Sequence, residues 1–122
     1  MKKAALGLML LAATTKATAG NNAATFDWNP VMDAIIQVES GGNPRAVSGN
    51  SVGIMQITPV AVKDCNLILQ QRKSNKRYTL ADRYNVEKSK EMFLLIQSRY
   101  NPTCDVEKAI RIWNGEIGRA HV

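Results

Sequence analysis

Asn29-Pro30-Val31-Met32-Asp33-Ala34-Ile35-Ile36-Gln37-Val38-Glu39-Ser40-Gly41-Gly42-Asn43-Pro44 is followed, after a short polar stretch, by Gly53-Ile54-Met55-Gln56-Ile57-Thr58-Pro59. Val31, Ala34, Ile35 and Val38 recur at helical spacing, so the first block reads as a helix with one apolar face. Asn29 suits its cap, Pro30 its first turn, and Gly41-Gly42 its end. Glu39 therefore falls at a helix C-terminus, where the negative end of the macrodipole disfavours a carboxylate. The same field, with partial burial, favours the protonated form that a general acid needs. Residues 41–50, rich in Gly, Ser and Asn, form a loop or a short ribbon that can bring Gln56 back towards Glu39.

The rest of the chain is helical in pattern. Thr58-Pro59 opens a second helix that turns Val62, Cys65, Ile68 and Leu69 inward. Thr79-Leu80-Ala81-Asp82 has the form of a capping box and opens a short helix. Asn85 caps a longer one, with Val86, Met92, Phe93, Ile96 and Tyr100 spaced for burial. Asn101-Pro102 stops it, and Asp105 caps a last segment holding Ala109, Ile110 and Trp113. No alternating apolar run is long enough to force a strand, and no internal repeat is present.

Residues 1–19 read as an export signal. Lys2 and Lys3 supply the charge, residues 4–13 an apolar stretch short for a bilayer span, and Ala17-Thr18-Ala19 the cleavage site. Residues 20–28 read as a linker, and residues 29–115 as one domain. Cleavage removes Lys2, Lys3 and Lys16, half of the formal net charge of +6. With an export signal this modest charge argues against a nucleic-acid partner. The remaining cations gather in Arg72-Lys73-Ser74-Asn75-Lys76-Arg77, which reads as a solvated loop or as a weak attraction for an anionic polymer.

The two cysteines, Cys65 and Cys104, would meet an oxidising compartment and are expected to form a disulfide. Closing a loop of about 40 residues would contribute roughly 4 kcal/mol on the chain-entropy model. One histidine and no C-x-x-C spacing leave no metal site, and no cofactor is expected. Residues 117–122, Ile-Gly-Arg-Ala-His-Val, back-translate onto the start of a common DNA-sequencing adapter, with Glu116 as junction codon. Residues 116–122 are thus read as a non-native tail, an expectation that the source DNA tests.

The Glu39-Ser40 and Gly53-Ile54-Met55-Gln56 blocks together resemble the lytic transglycosylase (SLT-type) family, relatives of goose-type lysozyme. The resemblance runs over residues 29–115. Ile54 stands for the leucine of the family's G-L-M-Q, and Ile112-Trp113-Asn114 for its Ala-Tyr-Asn. The family's further helix with a tyrosine beyond Asn114 does not follow, so the domain is read as C-terminally truncated.

The fold so implied is mainly α and lysozyme-like, with a loop or ribbon after the catalytic helix. The chemistry implied is cleavage of peptidoglycan glycan strands with one glutamate, Glu39, as acid and then base. That accounts for the missing second carboxylate, since Asp64 and Asp82 both read as capping or exposed residues. By the same resemblance Gln56, Trp113 and Asn114 would contact sugar. Ser40 would bond the loop or the carboxylate, or serve as a plain cap, and Ser51 would line the groove. Tyr78 is a further candidate for the groove.

The rival readings are a hydrolytic lysozyme on the same scaffold and a non-catalytic wall-binding or secretion-accessory domain. The expected setting is a monomer, periplasmic or secreted, without stable membrane insertion, serving a secretion or conjugation apparatus.

Overall fold

The computed structural model describes residues 25–116. The export signal with its cleavage site, and residues 117–122, lie outside them. Four helices carry the described chain: α1 (Asn29–Ser40), α2 (Pro59–Gln71), α3 (Val86–Tyr100) and α4 (Val106–Arg111). Between α1 and α2 lies a two-stranded antiparallel ribbon, β1 (Val47–Ser48) and β2 (Ser51–Val52), with Val47 opposite Val52 and Ser48 opposite Ser51. A 3₁₀ turn (Leu80–Tyr84) precedes α3, and a π-helical turn (Ile112–Glu116) follows α4. The domain is mainly α, as expected, with the ribbon where the polar loop was read.

The caps explain most boundaries. The Thr58, Asn85 and Asp105 side chains accept the backbone N–H groups of Ala61, Lys88 and Lys108, each three residues on. Asp82 Oδ2 accepts the Thr79 N–H at 2.8 Å, the reciprocal half of the capping box. The start of α1 differs by one residue from the expected cap. Trp28 holds the cap position, its carbonyl accepting the Met32 N–H, and Asp27 Oδ1 accepts the Asn29 N–H. Gly41 ends α1 in a left-handed conformation, its N–H returning to Gln37 O.

One core joins the elements. Val31, Met32, Ile35 and Ile36 of α1 meet Met55 and Ile57 of the loop, Val62, Cys65 and Leu69 of α2, and Met92, Phe93 and Ile96 of α3. Fully burying one such side chain contributes about 1.5–3 kcal/mol. Phe93 is the aromatic centre, edge-on to Trp28 at 5.6 Å and to Trp113 at 4.9 Å. Phe26 meets Trp28 edge-on in turn. The end of the stretch read as a linker is therefore packed on the core.

The expected Cys65–Cys104 disulfide is not formed: both thiols are free and buried. Their surroundings differ. Cys65, inward on α2, meets the Met92 carbonyl, and burial with the neighbouring Asp64 charge pushes its thiol up to about 12. Cys104 sits in the turn after α3 with a positive φ of 59°, against Pro102 O and the Trp28 indole. Burial raises its thiol also.

The basic run is built into the surface. Lys76 pairs with Glu91 Oε1 at 2.8 Å, Arg77 donates to Ser74 O and Lys76 O, and Arg72 donates to Ser98 Oγ. Among the described residues no helix is long and apolar enough to cross a membrane.

Candidate active site

Glu39 is the penultimate residue of α1 and is half-buried. Its neighbour Ser40 lies 2.7 Å from Ile54 O, 3.1 Å from Ile36 O, and accepts the Gly42 N–H at 3.1 Å. A hydroxyl has one proton, and the shorter contact takes it. Ser40 thus fastens the end of the glutamate helix to the turn at residues 53–57, the first of the roles expected for it.

That turn holds two residues at positive φ. Gly53 has φ of 87°, and a β-carbon there would lie 1.8 Å from Arg83 O, so only glycine fits. Gln56 holds φ of 55° without being glycine. Its N–H donates to Gly53 O, and its Nε2 donates to Ala46 O at 3.1 Å and Gly53 O at 2.9 Å. Both amide protons are therefore spent on backbone, and Oε1 is the group left to accept from a ligand. Val52 and Ile57 exchange both backbone hydrogen bonds, closing the base of the turn.

Trp113 reaches the same turn from the far end of the chain. Its Nε1–H donates to Met55 O at 2.9 Å. Between the two lies a cleft of about 310 Å³, with residues 56–61 on one side and Ile112, Trp113 and Gly115 on the other. Asn50 and the buried Ile96 also line it. Thr58 and Gln56 give it polar atoms, and apolar and aromatic surface makes up most of the rest.

The expected residues divide. Gln56 and Trp113 share the cleft, while Glu39, Ser51 and Asn114 are not among its lining residues. Glu39 is linked to it through adjacent peptides, since Ser40 holds Ile54 O and Trp113 holds Met55 O. Ser51 lies on the ribbon opposite Ser48, and its neighbour Asn50 takes the place at the cleft. Asn114 is exposed within the π-helical turn that follows α4.

Tyr78 does not face the cleft. It is buried, donates its hydroxyl to Glu91 Oε1 at 2.9 Å, and borders a separate groove beside α2 with Lys63, Leu67 and Arg77. Burial, reinforced by Glu91, drives its hydroxyl well above the usual phenol range.

Neither candidate second carboxylate enters the cleft. Asp64 is buried rather than exposed and accepts the Tyr100 hydroxyl at 2.9 Å, tying α2 to α3. Asp82 caps its 3₁₀ turn, and the Thr79 N–H holds its carboxyl below the usual range. Among the described residues no group of three or more His, Cys, Asp or Glu side chains could hold a metal ion.

Arg83 was not singled out by sequence. It is only 9% exposed, and its guanidinium donates to three carbonyls: Leu80 O from Nε, and Asn50 O and Ile57 O from Nη1. The only sequence signal was its place just after the capping box, which fixes a turn but not the direction of the side chain.

No curated protein and no solved structure matches the chain. The family model described as the transglycosylase SLT domain matches residues 18–115. That match covers the described helices, the ribbon, the 53–57 turn and Trp113 together. The chain belongs to the transglycosylase SLT domain family.

Proposed function

We propose that this protein is a peptidoglycan lytic transglycosylase that cleaves the β-1,4 bond between N-acetylmuramic acid and N-acetylglucosamine. Glu39 carries the chemistry. As an acid it protonates the leaving glycosidic oxygen while the bond from C1 to that oxygen breaks. The substrate's own N-acetyl carbonyl stabilises the charge that grows at C1, in place of a second carboxylate. The Glu39 carboxylate then removes the proton of the C6 hydroxyl, whose oxygen bonds to C1. A 1,6-anhydro sugar leaves, Glu39 is protonated again, and no water is consumed.

The observation that carries this reading is the shared turn. Ser40 and Trp113 hold adjacent carbonyls, Ile54 and Met55, so the glutamate end of α1 and the aromatic side of the cleft are fixed to one piece of backbone. Gln56 Oε1 is suited to accept from a sugar hydroxyl or an acetamido N–H, and the Trp113 ring offers a flat face to a pyranose. Asn114 is assigned to the open edge of the groove. Asp64 and Asp82 are both engaged elsewhere, by the Tyr100 hydroxyl and the Thr79 N–H, which supports the one-glutamate route. The setting that fits is a monomer in the periplasm or outside the cell, acting on glycan strands, and opening the wall for a secretion or conjugation apparatus.

Mass spectrometry of muropeptides released from purified peptidoglycan tests the reading, with Glu39→Gln in parallel. Anhydro-muramyl products, one water lighter than hydrolysed ones and lost in the variant, are expected. Reducing-end products would make the protein a lysozyme. Glycan binding without cleavage by the unmutated protein would make it a wall-binding module.

A further inference from the structure

We propose that Arg83 is a positioning residue for the reaction, acting through the 53–57 turn. The inference rests on the functional reading above and adds to it the device that sets the cleft. Three features meet at this one side chain. Its Nη1 spans Asn50 O at 3.0 Å and Ile57 O at 3.1 Å, joining the tip of the ribbon to the residue that ends the turn. Its Nε holds Leu80 O at 2.9 Å, so the guanidinium is anchored in its own 3₁₀ turn. Its backbone carbonyl, fixed by the Ser89 hydroxyl at 3.0 Å, is the surface against which Gly53 packs with no room for a β-carbon.

Arg83 thus grips the turn from both ends, at Gly53 through backbone and at Ile57 through side chain. Asn50 and Ile57 both border the cleft. Gln56, between them, sits in a left-handed conformation that a non-glycine residue keeps only when its surroundings impose it. Arginine is the residue type for this task. Its rigid planar fork directs several N–H groups at carbonyls set in fixed directions, whereas a lysine ammonium is a point charge on a flexible stem. A displacement of about 1 Å in a catalytic constellation costs on the order of 100-fold in rate.

The test compares Arg83→Lys with Tyr100→Phe, which removes a part-buried hydrogen bond between α2 and α3 away from the cleft. For each, kcat and KM on glycan strands are measured together with thermal unfolding, and rates are normalised to folded protein. Arg83→Lys is expected to lower kcat by about 10- to 100-fold with KM changed less than about threefold. Tyr100→Phe is expected to lower Tm while leaving kcat within about twofold.

Equal kcat losses in the two variants at matched folded fraction would overturn the proposal. Failure of the functional reading shows separately, in an unmutated protein that releases no products. Amide hydrogen exchange then decides. Faster exchange at Gly53, Gln56 and Ile57 in Arg83→Lys, with α3 unchanged, supports the grip, and unchanged exchange there overturns it.

Discussion

Trp113 serves the site through two parts of one side chain. Its N–H holds Met55 O, and its ring packs edge-on against Phe93 while bordering the cleft. Trp113→Phe keeps an aromatic surface and deletes the donor. A buried carbonyl left without its partner costs about 1–3 kcal/mol, so chemical denaturation should show a loss of that size. An unchanged midpoint would mean the bond contributes nothing.

Gln56 shows what residue type can and cannot convey. A glutamine beside apolar neighbours after a glycine pointed to the right loop, and its place at the cleft was legible. How its hydrogen-bonding capacity is divided was not. That division depends on a left-handed backbone and on Ala46 ten residues away, which no local pattern encodes. Ser40 was read as bonding the loop or the carboxylate, or as a plain cap, and the 2.7 Å approach of Ile54 O decides for the loop.

At the level of elements, the helices were legible because their ends are written in side chains. Thr58, Asn85 and Asp105 each cap as their type and spacing imply. Arg83 was not legible, since a charged residue in a five-residue turn has no periodicity to announce burial. The cysteines failed for a related reason. Export chemistry says that two thiols pair, but pairing needs their side chains to converge, and α2 turns Cys65 to Met92 while the turn after α3 turns Cys104 to Trp28. Purified without reductant and unfolded in denaturant, the protein should present two titratable thiols. In the native state Cys65 should resist alkylation, because burial keeps it a neutral thiol. A mass two daltons lower, with no reactive thiol, would restore the disulfide.

Across the whole molecule, stability is expected to fall towards both ends of the pH scale. Asp82 and Glu91 have folded values below their unfolded ones, the first through the Thr79 N–H and the second through Lys76. Their contribution is present above the unfolded range near 4 and is lost as pH falls through the folded values. Glu91 is exposed enough that its share is small. Tyr100 and Cys65 run the other way, both raised to about 12 mainly by burial. The unfolded chain gives up those protons first, so stability declines from about pH 9 upward. A Tm profile measured from pH 3 to 11 checks both limbs, and Asp82→Asn should flatten the acid one. A Tm that holds constant below pH 4 would contradict the assignment.

The bond from Trp113 to Met55 spans 58 residues of chain. During synthesis the glutamate helix, the ribbon and the 53–57 turn all emerge well before the residue that completes the groove. Domains generally fold as units, so the last partner to emerge sets the moment of completion. A domain ordered in this way stays without its aromatic wall until Trp113 has followed the rest of the groove out. Delay is thereby written into the order of the residues.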